Sequence, residues 1–101
     1  MAVLEKLTRY NISSVSASGP SSDTVVSAGG TANVDLSISA DVNVSTPLGI
    51  ESVSGLPAGV AIAGWTFPDN STLRLILLNP TASDVTVTAG SVSATVIVLS
   101  F

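Results

Sequence analysis

The side chains that could do chemistry in this chain are few, and what is missing constrains more than what is present. Histidine and cysteine are both absent. That removes the usual general base near neutral pH, the commonest metal ligand and any thiolate nucleophile. The many serines have no histidine to activate them, and the lysine, Lys6, stands in the N-terminal ten residues, away from any serine-rich site. Seven carboxylates, Glu5, Asp23, Asp35, Asp41, Glu51, Asp69 and Asp84, are scattered, mostly at turns or on the wet face of a strand, with no pair at acid/base spacing. Asp41-Val42-Asn43 and Asp69-Asn70-Ser71 could each lend oxygens to Ca²⁺, but neither has the ligand density of a dedicated loop, and both read better as turn formers. Gly29-Gly30 has no lysine and no helix after it, so it is not a phosphate loop. Asn11-Ile12-Ser13, Asn43-Val44-Ser45 and Asn70-Ser71-Thr72 match the glycosylation acceptor, as chance allows in a chain rich in Ser and Thr. The expectation is a protein with no enzyme activity, no metal and no cofactor.

Stacking chemistry is the remaining option. Trp65 and Phe67 lie two apart and share one face of a strand. They read as an aromatic plug for the core. With Tyr10 they are the alternative platform of a carbohydrate-binding module.

The elements that would position these groups are strands. In Thr31 to Ser45, Val34, Leu36, Ile38, Ala40, Val42 and Val44 fill the even positions. Asp35, Ser37, Ser39, Asp41, Asn43 and Ser45 fill the odd ones, which is the period of a strand with one dry and one wet face. The run is long enough to bend near Ala40-Asp41. Thr72 to Asn79 differs: Leu73, Leu75 and Leu77 share one face, while Ile76 and Leu78, after Arg74, make the other face apolar as well. Such a strand is central in a packed structure or covered by a partner. Tyr10 to Ala17 reads as a strand bulged at Ser13-Ser14, and Thr24 to Ser27 as a short strand. Thr46-Pro47-Leu48-Gly49 reads as a turn before a strand at Ile50 to Val53. Gly55 to Gly59 is a loop, Val60 to Phe67 is extended, and Asp84 to Ala89 is a strand with Val85 and Val87 inward. In Ser91 to Phe101, Val92, Ala94, Val96 and Val98 form one face, while the other turns apolar at Ile97, Leu99 and Phe101. No internal repeat is convincing. Seven to nine short strands without a helix predict an all-β fold, a small antiparallel β-sandwich of immunoglobulin-like or jelly-roll-like type. Residues 1–10 read as an N-terminal arm or first strand, and 11–101 as a single sandwich domain.

Charged residues are 10% of the chain, against about 25% in a typical protein. The net charge of −4 and the scarcity of bases argue against nucleic acid as a partner. No run approaches the about 20 apolar residues of a membrane helix, so no membrane partner is expected. The first ten residues carry charges where a signal peptide needs an apolar core, so export is not expected either. Low charge with high mean hydropathy favours apolar surface buried by oligomerisation or docking. The candidate interface has three parts. One is Leu4, Lys6, Leu7 and Arg9 of the net-basic N-terminal segment. The second is Arg74, Ile76 and Leu78 on the central strand. The third is Ile97, Leu99 and Phe101 on the last.

The succession Gly55-Leu56-Pro57-Ala58-Gly59-Val60, Trp65-Thr66-Phe67-Pro68-Asp69-Asn70-Ser71-Thr72-Leu73-Arg74 and Leu78-Asn79-Pro80-Thr81-Ala82-Ser83-Asp84-Val85 resembles small head decoration (capsid cement) proteins of tailed bacteriophages. The resemblance covers roughly residues 25 to 100. It implies a structural virion protein that binds the major capsid protein on the outside of an icosahedral head, often as a trimer, and braces the shell. A tail-associated or other immunoglobulin-like virion module is the alternative.

Overall fold

The computed structural model describes residues 11–39 and 45–100. Eight antiparallel strands are found among them: β1 (Asn11–Gly19), β2 (Thr24–Val26), β3 (Thr31–Ile38), β4 (Ser45–Ser54), β5 (Ala61–Asp69), β6 (Thr72–Leu78), β7 (Val85–Val87) and β8 (Val92–Ser100). Six make one sheet in the order β4-β8-β1-β3-β6-β5, and β2 pairs with β7 in a small second sheet.

The sheet has two tightly laddered parts. In one, β1 and β4 flank β8; in the other, β3 and β5 flank β6. The parts join where β1 meets β3 through only two residue pairs, Ala17↔Ile38 and Ser18↔Ser37. Gly19 lies at this join, where a Cβ would press on the Asp35 carbonyl oxygen and Leu36. The outer edges, β4 and β5, curl towards each other until a Cβ at Gly49 would lie 4.0 Å from Trp65 Cη2. The sheet is therefore nearly closed, like a barrel, with a gap between its edges that no strand ladder bridges.

Strand alternation builds the core. Val34, Leu36 and Ile38 of β3, Leu73, Leu75 and Leu77 of β6, and Val92, Ala94, Val96 and Val98 of β8 are all buried in one cluster with Ala17. Val26 and Val87 add the small sheet to it. Fully burying side chains of this size stabilises the fold by about 1.5–3 kcal/mol each, an upper bound because an unfolded chain already buries some of that surface.

Three local expectations are corrected. The first is the bulge at Ser13-Ser14. The register of β1 on β8 runs without a shift from Asn11↔Ser100 to Gly19↔Val92. Ile12 therefore sits on the face opposite Val15 and Ala17, and is 72% exposed. The second is the turn at Thr46–Gly49, which is instead the first half of β4. Pro47 is tolerated because β4 is an edge strand, where a missing N–H breaks no second ladder. The register shifts between Pro47 and Gly49, and Leu48, within that shift, is 49% exposed. The third concerns Trp65, which is not a buried plug but an edge residue, 46% exposed; only Phe67 packs partly on the core. The bend expected near Ala40-Asp41 lies outside the described residues.

An internal repeat is also present. Ser22-Asp23-Thr24-Val25-Val26-Ser27-Ala28-Gly29 and Ser83-Asp84-Val85-Thr86-Val87-Thr88-Ala89-Gly90 share one frame, with two Thr/Val exchanges and one Ser/Thr exchange. Each forms a short strand, β2 or β7, followed by a glycine at positive φ, 68° at Gly29 and 73° at Gly90. Each closes the same turn: Gly30 N donates to Ser27 O at 2.8 Å, and Ser91 N to Thr88 O at 3.1 Å. Each aspartate clamps the far end of the other copy. Asp84 Oδ1 accepts from Ala28 N at 2.9 Å, and Asp23 Oδ1 accepts from Ala89 N at 2.8 Å.

Candidate functional site

The charged groups come first, because they are the ones that could bind or react. Among the described residues each one is engaged within the domain. Arg74 forms a two-pronged pair with Asp35, Nε to Oδ1 at 2.9 Å and Nη2 to Oδ2 at 3.1 Å. These hydrogen bonds, with the attraction of the Asp35 charge, hold the guanidinium pKa above its ordinary value. Asp69 Oδ1 accepts from Ser71 Oγ at 2.8 Å and from Ser71 N at 2.9 Å, which pulls its carboxyl below the ordinary 3.8. Glu51 accepts from Ser14 Oγ at 3.0 Å across the outer face, and Asp23 and Asp84 hold the repeat together. No group of three metal-ligating acids comes together among the described residues, and no pocket opens there.

The buried polar centre is Asn79, fully enclosed at the end of β6. Its Nδ2 donates to Val26 O at 2.9 Å and to Ser83 O at 2.8 Å. Its Oδ1 accepts from Thr81 N at 3.0 Å and from Thr81 Oγ1 at 2.6 Å. All its amide capacity is spent on the fold, and its backbone N–H donates to Gly30 O at 2.9 Å. Sequence reasoning took Asn79-Pro80-Thr81 as a turn only. The signal that could have found more was an Asn two residues before a Thr in a stretch leading to an Asp.

The apolar candidates divide between two outer faces. On β6, Arg74, Ile76 and Leu78 point away from the core. Their neighbours in register are Asp35, Asn33 and Thr31 on β3 and Thr66, Gly64 and Ala61 on β5, so this face is polar on its β3 side and Arg74 is already paired. Leu78 is 36% exposed, and Ile76 is half-buried. On β8, Ile97 and Leu99 also point outward, half-buried. Leu99 pairs with Ile12 on one side and Thr46 on the other, and Ile97 pairs with Ser14 and Gly49. Ile12, Leu99 and Ile97 thus form an apolar patch at the end of the sheet where β1 begins and β8 finishes. Leu48 and Trp65 lie beside Gly49 at its far side. The structure therefore separates the β6 and β8 candidates onto different parts of the sheet, and adds Ile12, which was expected to face inward. A parity count from Val15 and Ala17 would have placed it outward. Leu4, Lys6, Leu7, Arg9 and Phe101 lie outside the described residues.

Trp65 and Phe67 meet edge to face, with ring centroids 5.4 Å apart and planes at 65°. This geometry joins the two rings to each other rather than offering two coplanar faces to one sugar. Tyr10 lies outside the described residues.

No family model, curated protein or solved structure matches the chain.

Proposed function

We propose that this chain is a structural virion protein, a decoration or cement protein that binds the outer surface of a tailed-phage capsid and stabilises the head. The observation that carries the proposal is the contrast on its surface. Every described charge is spent within the domain, while Ile12, Ile97 and Leu99 gather in one outward patch. A module of this kind offers adhesion rather than turnover, so the proposal gives it no catalytic step and no cofactor. Its fold is read as a sandwich of immunoglobulin-like or jelly-roll-like type; what supports the reading is that the two laddered parts of the sheet join through only two residue pairs. The partner is the major capsid protein, the site is the capsid exterior, and a trimer is the favoured state. All three come from the resemblance in residues 25 to 100. Many weak contacts repeated by symmetry would give firm retention.

The test is addition of purified protein to expanded, undecorated phage heads, followed by sedimentation and counting of bound copies. The expected result is a fixed copy number per head that matches an icosahedral set of sites, with heads that resist heat better than bare ones. Binding absent, or binding to tails alone, would overturn the reading in favour of another virion module. Trp65, exposed at the sheet edge, supports one further alternative, a carbohydrate-binding module. Glycan-array binding that Trp65→Ala abolishes without unfolding would establish it.

A further inference from the structure

We infer that the outward patch of Ile12, Ile97 and Leu99 is the seat of the N-terminal ten residues of a second copy of this chain. The inference rests on the homo-oligomer in the function proposed above and assigns its contact.

Three observations select that occupant. The first is position. Residues 1–10 precede β1 in the sequence, and β1 begins at Asn11, one residue before Ile12, so the chain enters the described domain beside the patch. Fully extended they span up to about 33 Å, enough to reach across to a neighbouring domain. The second is chemistry. The segment carries Val3, Leu4 and Leu7, which suit the patch. It also carries Lys6 and Arg9 against Glu5 alone, whereas residues 11–101 hold six acids against Arg74. A net-basic segment and a net-acidic body attract in trans, while two acidic bodies repel, so contact through the segment is the favoured mode. A carboxylate, Glu51, stands at the margin of the patch, bonded to Ser14. The third is geometry. Asn11 is already in register with Ser100, and residues 1–12 contain neither Gly nor Pro. A segment with no turn residue next to the strand that it feeds is poorly placed to double back onto Ile12 of its own chain.

The chain contains no cysteine, so introduced thiols report unambiguously. Leu4→Cys and Ile12→Cys are made as separate full-length variants, mixed, and oxidised. The expected product is a mixed disulfide joining the two variants. In parallel, light scattering should find the wild type as a multiple of 10.1 kDa. Ile12→Asp, at a position exposed enough to leave the fold intact by circular dichroism, should weaken self-association at least about tenfold. Leu4→Asp with Leu7→Asp should do the same from the other side of the contact. A monomeric wild type, or an intramolecular disulfide in the Leu4→Cys/Ile12→Cys double variant with none between chains, would overturn the inference. Head binding separates the two proposals. Wild type that adds to heads but gives no mixed disulfide sinks the exchange and keeps the decoration reading. Mixed disulfide without head binding does the reverse.

Discussion

Residues 22–29 and 83–90 are nearly the same eight residues in the same conformation, yet the chain enters them in two different ways. Into the first it passes through Gly19-Pro20, a place with no room for a side chain. Into the second it passes through Asn79-Pro80, where a buried amide makes four hydrogen bonds. Each entrance is also tied to the other copy's turn: Gly90 N donates to Pro20 O at 2.8 Å, and Asn79 N to Gly30 O. The difference teaches that a repeated frame can be held by shape at one end and by polar satisfaction at the other.

Substitutions can break this comparison in order of size. Asn79→Ala should be the most damaging, about 3 kcal/mol in urea unfolding, because it strands the enclosed carbonyl of Val26 and removes the bonds to the 81–83 turn. Gly19→Ala should cost about 1–3 kcal/mol, since the new Cβ would press on backbone that cannot move freely. If Gly19→Ala proved neutral, the tight entrance would be a description without energetic content. Asp23→Ala and Asp84→Ala should each cost about 1 kcal/mol, and the two values should agree, because each removes one carboxylate-to-amide bond in the same frame. Values that differ severalfold would show that the repeat is equal in shape only. The smallest effects belong outside the repeat. Arg74→Gln should alter stability little, and high salt should erase what difference there is, as expected for an exposed pair. Asp69 sets a pH dependence. Its folded-state carboxyl is depressed below 3.8, so the turn's contribution is present above that value and fades as pH falls through the lower folded-state pKa. Acid titration of Asp69→Asn beside wild type should show the two stabilities converging at low pH.

Much of the core was legible in the sequence. The alternation in β3, β6 and β8 put the correct side chains inward, because a period of two leaves a strand no other way to keep leucine and valine dry. What was hidden depended on neighbours. Pro47 looked like a turn residue because nothing local says that a segment will be an edge strand. Ile12 looked inward because a bulge would have reconciled it with Val15, and the ladder with β8 chose regularity instead. Trp65 looked buried because size suggested it, whereas its place on an edge strand decided otherwise. The repeat escaped because eight residues in a Ser/Thr/Val-rich chain resemble their surroundings until two aspartates are seen to reach across. Of the candidate interface, the outward direction of Ile76, Leu78, Ile97 and Leu99 followed from the same alternation. Their division between two separate parts of the sheet followed from strand order, which no single strand encodes.

The ladder that pairs Asn11 with Ser100 has one more consequence. Paired residues on adjacent strands lie about 5 Å apart, so the described domain is topologically close to a ring. A few glycines could join residue 100 to residue 11, and new ends could be cut at the exposed Ala58-Gly59 of the link between β4 and β5, which separates only the two edge strands. A circularly permuted protein built that way keeps every ladder intact. It would also display its new termini at the link between β4 and β5, as an attachment point for cargo.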